Sequence, residues 1–230
     1  MIDPSWMAAS AGAVFDVDGR RFAYVPGGTV TVGYDANRFS PTPEQVEDYA
    51  ASAAEWGLTE DIRAFVDRMT SPPRTVTLAP MLVAVEARDA GQYAVPSYET
   101  AVARLAEAGQ RLLTPDEWEY ACGAGTSTLW RWGDTSPLDD DPYTLRTVQY
   151  EPHPFGLEIG QDPYRDERTA DPGVVCGGDG GSMVCGGAGA FVSWLTLATS
   201  YRDPHHCAAV RDNTYGLDEM LIRPVIPLPA

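Results

Sequence analysis

The chain contains no lysine: its 16 basic residues are all arginine, set against 33 acidic ones, for a formal net charge of −17 over 230 residues. That balance excludes a nucleic-acid phosphate backbone as partner, because binding there needs clustered cations. It also excludes a Walker-type phosphate loop, which requires Gly-Lys-Ser/Thr. GC-rich codon usage accounts for the missing lysine. An acidic surface either steers a basic partner by long-range attraction or serves solubility, and charge alone does not choose between the two. No apolar run is long enough to span a bilayer. The start, Met1-Ile-Asp-Pro-Ser-Trp-Met, has no basic segment followed by an apolar stretch. The expectation is therefore a cytoplasmic protein with no membrane partner.

Cysteine and histidine are also scarce, at four and three residues. Cys122, Cys176, Cys185 and Cys207 show no CxxC spacing, so a structural zinc site is not expected, and free thiols or another metal site are favoured over a disulfide framework. The sequence has no nucleophile elbow, no HExxH and no dinucleotide fingerprint.

The remaining composition, 44% hydrophobic with six tryptophans, is that of a well-packed globular chain. Ala13 to Val25 reads as two short strands about Asp18-Gly19, a hairpin signal, and Thr29 to Gly33 resumes the strand. Thr42-Pro43-Glu44-Gln45 is a capping box with proline at the first helical position. Val46, Tyr49, Ala53 and Trp56 then recur at helical spacing up to Gly57. Thr59 opens a second helix with Ile62, Phe65, Val66 and Met69 on one face, stopped by Ser71-Pro-Pro73. Arg74 to Val85 is strand-like, with Pro80 marking an edge or bulge. Ser97 caps a third helix through Ala108, closed by Gly109. Thr114-Pro115-Asp116-Glu117 is a full capping box for a helix reaching Cys122. Beyond Gly123, glycine, proline, aspartate and aromatics dominate, which predicts irregular loops. Ala190 to Thr199 reads as a buried strand or helix. No repeat or linker divides the chain, so one domain spanning 1–230 is expected.

Several of these segments resemble, in order, the formylglycine-generating enzyme (sulfatase-modifying factor) family. Phe22-Ala-Tyr-Val-Pro-Gly-Gly-Thr-Val-Thr-Val-Gly33 is similar to its opening strand, and Pro73-Arg-Thr-Val-Thr-Leu to the next. Glu86-Ala-Arg-Asp-Ala-Gly-Gln-Tyr93 is loosely similar to the segment leading into the following helix. Arg111-Leu-Leu-Thr-Pro-Asp-Glu-Trp-Glu-Tyr-Ala-Cys122, with the Trp130-Arg-Trp-Gly-Asp134 loop after it, carries the most diagnostic match. Pro154-Phe-Gly-Leu157 resembles a later Gly-Leu turn, and Ile222-Arg-Pro-Val-Ile226 the closing Phe-Arg strand. The resemblance implies an α+β fold of formylglycine-generating-enzyme-like (C-type-lectin-like) type, low in regular structure and with long loops. Residues 34–72 then form a helical insertion.

Enzymes of that family hold Cu(I) between two cysteines of a Gly-Gly-Ser…Cys-x4-Cys stretch and use oxygen to convert a substrate cysteine to formylglycine. Paired thiolates suit a soft cuprous ion. Here Gly180-Gly181-Ser182-Met183-Val184-Cys185 supplies one cysteine, but Ala190 stands at the second position. Anchoring on Cys207-Ala208-Ala209 instead places Arg202 at the first position, so the pair is incomplete either way. If activity survives, Cys185 with Cys176 are its candidate residues, and Cys185, Cys176 and His206 the candidate copper ligands. The family's calcium-binding Gly-Asn-Val-Trp-Glu-Trp is replaced by Gln161-Asp-Pro-Tyr-Arg-Asp-Glu167, where Asp162, Asp166 and Glu167 are candidate calcium ligands. Asp134 with Asp139, Asp140 and Asp141 offers a second acidic set, and a solvated loop explains either. His205 and His206 are adjacent, read as surface loop histidines, and on a strand would point apart. The glycine-dense run from Cys176 to Gly189 suits tight turns or an anion nest.

The expected function is a non-catalytic protein-binding module, an immunity- or antitoxin-type protein for a bacterial toxin, with a basic protein partner and no obligate cofactor. The alternatives are a copper-dependent oxidase of a peptide or small thiol with altered ligands, and a calcium-dependent lectin-like binder.

Overall fold

The computed structural model describes residues 9–89, 97–145, 147–185, 187–212 and 220–229, with Val184 and Cys185 described in backbone only. In chain order the strands are β1 (Val14–Val17), β2 (Arg20–Val25), β3 (Gly28–Val32), β4 (Arg74–Leu78), β5 (Met81–Ala84), β6 (Arg88–Asp89), β7 (Arg111–Leu112), β8 (Glu167–Arg168), β9 (Val175–Cys176), β10 (Leu221–Ile222) and β11 (Pro224–Pro227). The helices are α1 (Pro43–Trp56), α2 (Ile62–Arg68), α3 (Tyr98–Glu107), α4 (Pro115–Gly123), α5 (Ser182–Cys185), α6 (Ala190–Leu195) and α7 (Pro204–Arg211). The chain is mixed α+β, and none of its described helices is long and apolar enough to cross a membrane.

A five-stranded antiparallel sheet, β1-β2-β5-β11-β7, forms the centre. Its first hairpin turns at Asp18-Gly19, both at positive φ (53° and 76°), the backbone that a two-residue turn of matching twist demands. Both faces of its middle strands are buried. Ala23, Val25, Met81 and Val83 pack with Leu113, Trp118 and Ala121, while Phe22, Leu82, Ala84 and Ile226 fill the other side. A small sheet, β6-β10-β8-β9, and a hairpin-like pair, β3-β4, complete the strand set.

Helix α4 begins as its sequence dictates. Thr114 accepts from the Glu117 amide, Glu117 returns the bond to Thr114 N–H, and Pro115 stands where no donor is needed. Its Glu119 is buried and accepts from Ser71 Oγ (2.8 Å), Arg74 (3.1 Å) and Arg202 (2.6 Å), tying α4 to two loops.

Residues 34–72 carry α1 and α2. Thr42 and Gln45 close the expected box, and Gly57 ends α1 in the left-handed region. The second helix starts later than Thr59: Asp61 is its cap, accepting from the amides of Arg63 and Ala64. An aromatic core of Phe39, Tyr49, Phe65, Trp130, Phe191 and Trp194 joins this segment to the later helices.

Two expectations are corrected, and the open choice of strand or helix for Ala190–Thr199 is settled. The stretch Arg74–Val85 is two strands in different sheets, broken at Ala79-Pro80, because Pro80 has no N–H to continue a ladder. Ala190–Leu195 is helical, with turns following. His205 and His206 lie on α7, not in a surface loop or on a strand: Asp203 caps that helix through both histidine amides and Pro204 fills its first position. His205 is exposed, whereas His206 is buried.

Candidate functional site

A cleft of about 410 Å³ opens where the small sheet meets the central one. One wall is the segment from Glu86 to Asp89, which ends in β6, and the other runs from Glu158 through Gly160 to Asp162. The two walls are joined by a parallel bridge between Glu86 and Glu158. Glu167, Gly177, Leu221 and Arg223 lie beneath.

The floor is a buried ion pair. Arg223, 2% exposed, follows β10, and β10 runs parallel to β8, which sets Arg223 beside Glu167. Its Nε and Nη2 donate to the two Glu167 oxygens at 2.8 and 2.7 Å. Nη1 donates to Ala84 O and Val85 O, and Nη2 also to Glu158 O. A guanidinium has five N–H donors, and these five contacts engage them all. Trp118 Nε1 adds a third bond to Glu167, at 2.9 Å. The pair is thus committed to positioning the cleft. Gly177 lies flat on Trp118, where a Cβ would stand 2.8 Å from the ring, and its φ of +81° favours glycine as well.

Charged side chains ring the opening. Arg21 donates to Glu86 and, at 3.0 Å, to Glu158, and these two carboxylates raise its pKa. Asp89 pairs with Arg165 at 3.0 Å. Asp162 is exposed and accepts from the Tyr164 amide, and Arg88 is exposed on β6.

Behind the floor lies a second polar group. His206 Nε2 meets Asp166 Oδ2 in a short buried contact. Burial alone would lower the His206 pKa, but the Asp166 hydrogen bond and charge, with Asp203 and Asp179, raise it above 6.5. Asp179, fully buried, accepts from the amides of Gly181 and Met183 and so holds the start of α5. Burial raises its pKa.

The candidate residues named from sequence fall in different surroundings. Cys176 is fully buried in β9 within the Trp118 cluster, and burial pushes its thiol well above 9. Cys207 packs with Val175, Val210 and Met220, and Cys122 is pushed up to about 12, both by burial. Cys185 ends α5, and its side chain lies outside the described residues. Of the oxygen donors, Asp162 faces the cleft, Asp166 faces His206, and Glu167 is taken by Arg223 and Trp118. Among the described residues no three histidine, cysteine or acidic side chains are grouped to hold a metal. Asp134 accepts from Leu129 N–H and Tyr34 Oη, and Asp141 from the Tyr143 and Thr144 amides, so both secure loops. Arg223 carries no signal of this role in the sequence, where Ile222-Arg-Pro224 reads only as part of a closing strand.

His153 makes a measurable prediction here. Its Nδ1 accepts from Phe155 N–H and its Nε2 donates to Cys122 O, so a second ring proton would face a donor. Burial lowers its pKa from 6.5 to about 4. The unfolded chain therefore binds this proton more readily: the stability is full above 6.5 and is lost as pH falls towards 4. Urea denaturation should show a loss of about 2 kcal/mol between pH 7 and pH 5 that His153→Gln lacks; equal slopes for the two proteins would refute this.

No family model matches the chain, and no curated protein matches it. Among solved structures it is similar to PvdO from Pseudomonas aeruginosa, at 14% identity and a TM-score of 0.49, covering 96% of this chain and 100% of that one. That is a distant structural match.

Proposed function

We propose that this chain is a non-catalytic protein-binding domain on a divergent formylglycine-generating-enzyme-like, C-type-lectin-like scaffold, acting on a basic protein partner in the manner of an immunity protein. The supporting observation is the state of the thiols. Cys122, Cys176 and Cys207 are buried, and their pKa values are raised by desolvation. A thiolate is the species that binds copper or attacks a substrate, and these three sites disfavour it. The net charge of −17 suits attraction of a basic partner.

The test pairs two measurements on the purified protein and its Cys185→Ser variant. With Cu(I) and a cysteine-containing peptide, oxygen uptake should equal the copper-peptide blank for both proteins. Capture of a basic partner from the native host should survive the substitution. Uptake above the blank that Cys185→Ser abolishes would establish the copper-oxidase alternative and overturn the proposal.

A further inference from the structure

The cleft carries charge that its own side chains leave unbalanced. Asp89 is matched by Arg165 and Glu167 by Arg223. Glu86 and Glu158 share one cation, Arg21. Asp162 has no ionic partner among the described residues. Three carboxylates thus meet two guanidiniums, Arg21 and the exposed Arg88 of the cleft lining, and Arg21, which serves two of the three, is itself 53% exposed. Exposed bridges of this kind contribute little to stability, because water and salt screen them. Arg21 is held loosely enough to exchange.

We propose that this cleft docks an arginine side chain of a partner protein, seated between Glu158 and Asp162 and competing with Arg21 for carboxylate. The inference rests on the reading of the chain as a binding module for a basic partner. Arg21 shows that one guanidinium nitrogen can serve two carboxylates here, Glu158 among them. A planar guanidinium with several donors suits such paired acceptors better than an ammonium, which is a compact, strongly hydrated point charge. The volume of about 410 Å³ lies within the range of roughly 300–1,000 Å³ usual for ligand clefts. Gly177 keeps the floor level, since any side chain there would meet Trp118. Arg88, exposed on β6, can donate to the guest's backbone carbonyls.

Fluorescence anisotropy with a labelled Gly-Arg-Ser-Arg-Gly peptide tests this directly on the full chain. The wild type should bind it in a salt-sensitive manner, prefer it to the lysine version, and ignore the citrulline version. The Glu158→Gln/Asp162→Asn double variant should bind about tenfold more weakly, whereas Arg21→Ala, which removes the internal competitor, should bind several-fold more tightly. A merely general attraction to acidic surface also predicts loss with citrulline and tighter binding by Arg21→Ala, but equal binding of the lysine and arginine peptides, so equal affinity for those two would overturn the inference. Circular dichroism melts of the same variants should superimpose on the wild type, since the substituted side chains are at the surface. No peptide binding by the wild type, unchanged binding by the double variant, or weaker binding by Arg21→Ala would each overturn the inference. Capture of a basic partner that is indifferent to the double variant would remove the cleft from the account while the protein-binding reading stands. Copper-dependent oxygen uptake would remove that reading, while the peptide measurements would still decide the cleft.

Discussion

Arg223→Met should destabilise the protein by about 3–5 kcal/mol, the cost of leaving one member of a buried pair charged and alone. Glu167 is 3% exposed, and its oxygens accept from Arg223 and from Trp118. Without the guanidinium, the carboxylate keeps only the indole bond, and three backbone oxygens, of Ala84, Val85 and Glu158, each lose a donor, Val85 O keeping its bond from Glu158 N–H. Domains of this size are typically stable by only about 5–15 kcal/mol, so the urea midpoint should fall sharply. Arg223→Lys should rescue poorly, because three donors on a flexible stem do not reach five acceptors arranged around a plane. Replacing Glu167 by Gln in the Arg223→Met background should recover a large part of the loss, since the remaining buried charge is then gone. A double variant no more stable than Arg223→Met would show that the lost carbonyl bonds dominate and that charge isolation is secondary. The cleft floor should loosen in Arg223→Met, so its peptide binding should weaken as well.

The features legible in the sequence were those whose cause is local. Thr42 with Gln45 and Thr114 with Glu117 announce their helices because both partners of each capping box lie within one turn. The Asp18-Gly19 turn is likewise local, set by two residues at positive φ. Helix α7 shows a local signal overlooked: Asp203-Pro204 is a cap followed by a first-position proline, and it places His206 on a buried helical face. The partition of Arg74–Val85 into two sheets was only half legible, since Pro80 marks a break but not the partners on either side. The candidate site was the least legible part. Its walls come from residues about 70 positions apart, and Arg223 lies 56 residues from Glu167. No periodicity encodes such a pairing; it follows from β10 joining β8 in parallel. The three acids of Gln161–Glu167 diverge: Asp162 lies in the loop at the cleft, Asp166 meets His206, and Glu167, the first residue of β8, is taken by Arg223.

Phe191→Ala should cost about 3–5 kcal/mol and lower a single cooperative transition. Phe191 is fully buried at the start of α6, where its ring lies 6.0 Å from Phe39, 6.3 Å from Tyr49 and 6.0 Å from Trp130. Phe39 and Tyr49 belong to residues 34–72, the expected insertion, and Trp130 belongs to the loop after α4. The backbone amide of Phe191 donates to Asp48 of α1 at 2.8 Å, so the same residue is held by a polar contact as well. An insertion that folded by itself would keep its α1–α2 contact, Tyr49 against Phe65, after Phe191 was lost. Two short helices bury too little surface for that, since isolated helices of this length are marginal in water. The insertion should therefore unfold with the rest of the chain, giving one transition by far-ultraviolet circular dichroism and by tryptophan fluorescence, with coincident midpoints. Trp56→Ala, at a position 44% exposed on α1, is the matched control and should move the midpoint little. Separate midpoints in Phe191→Ala would divide the chain into two units. Coincident midpoints would make the aromatic junction around Phe191 the contact through which residues 34–72 share one folding unit with the cleft.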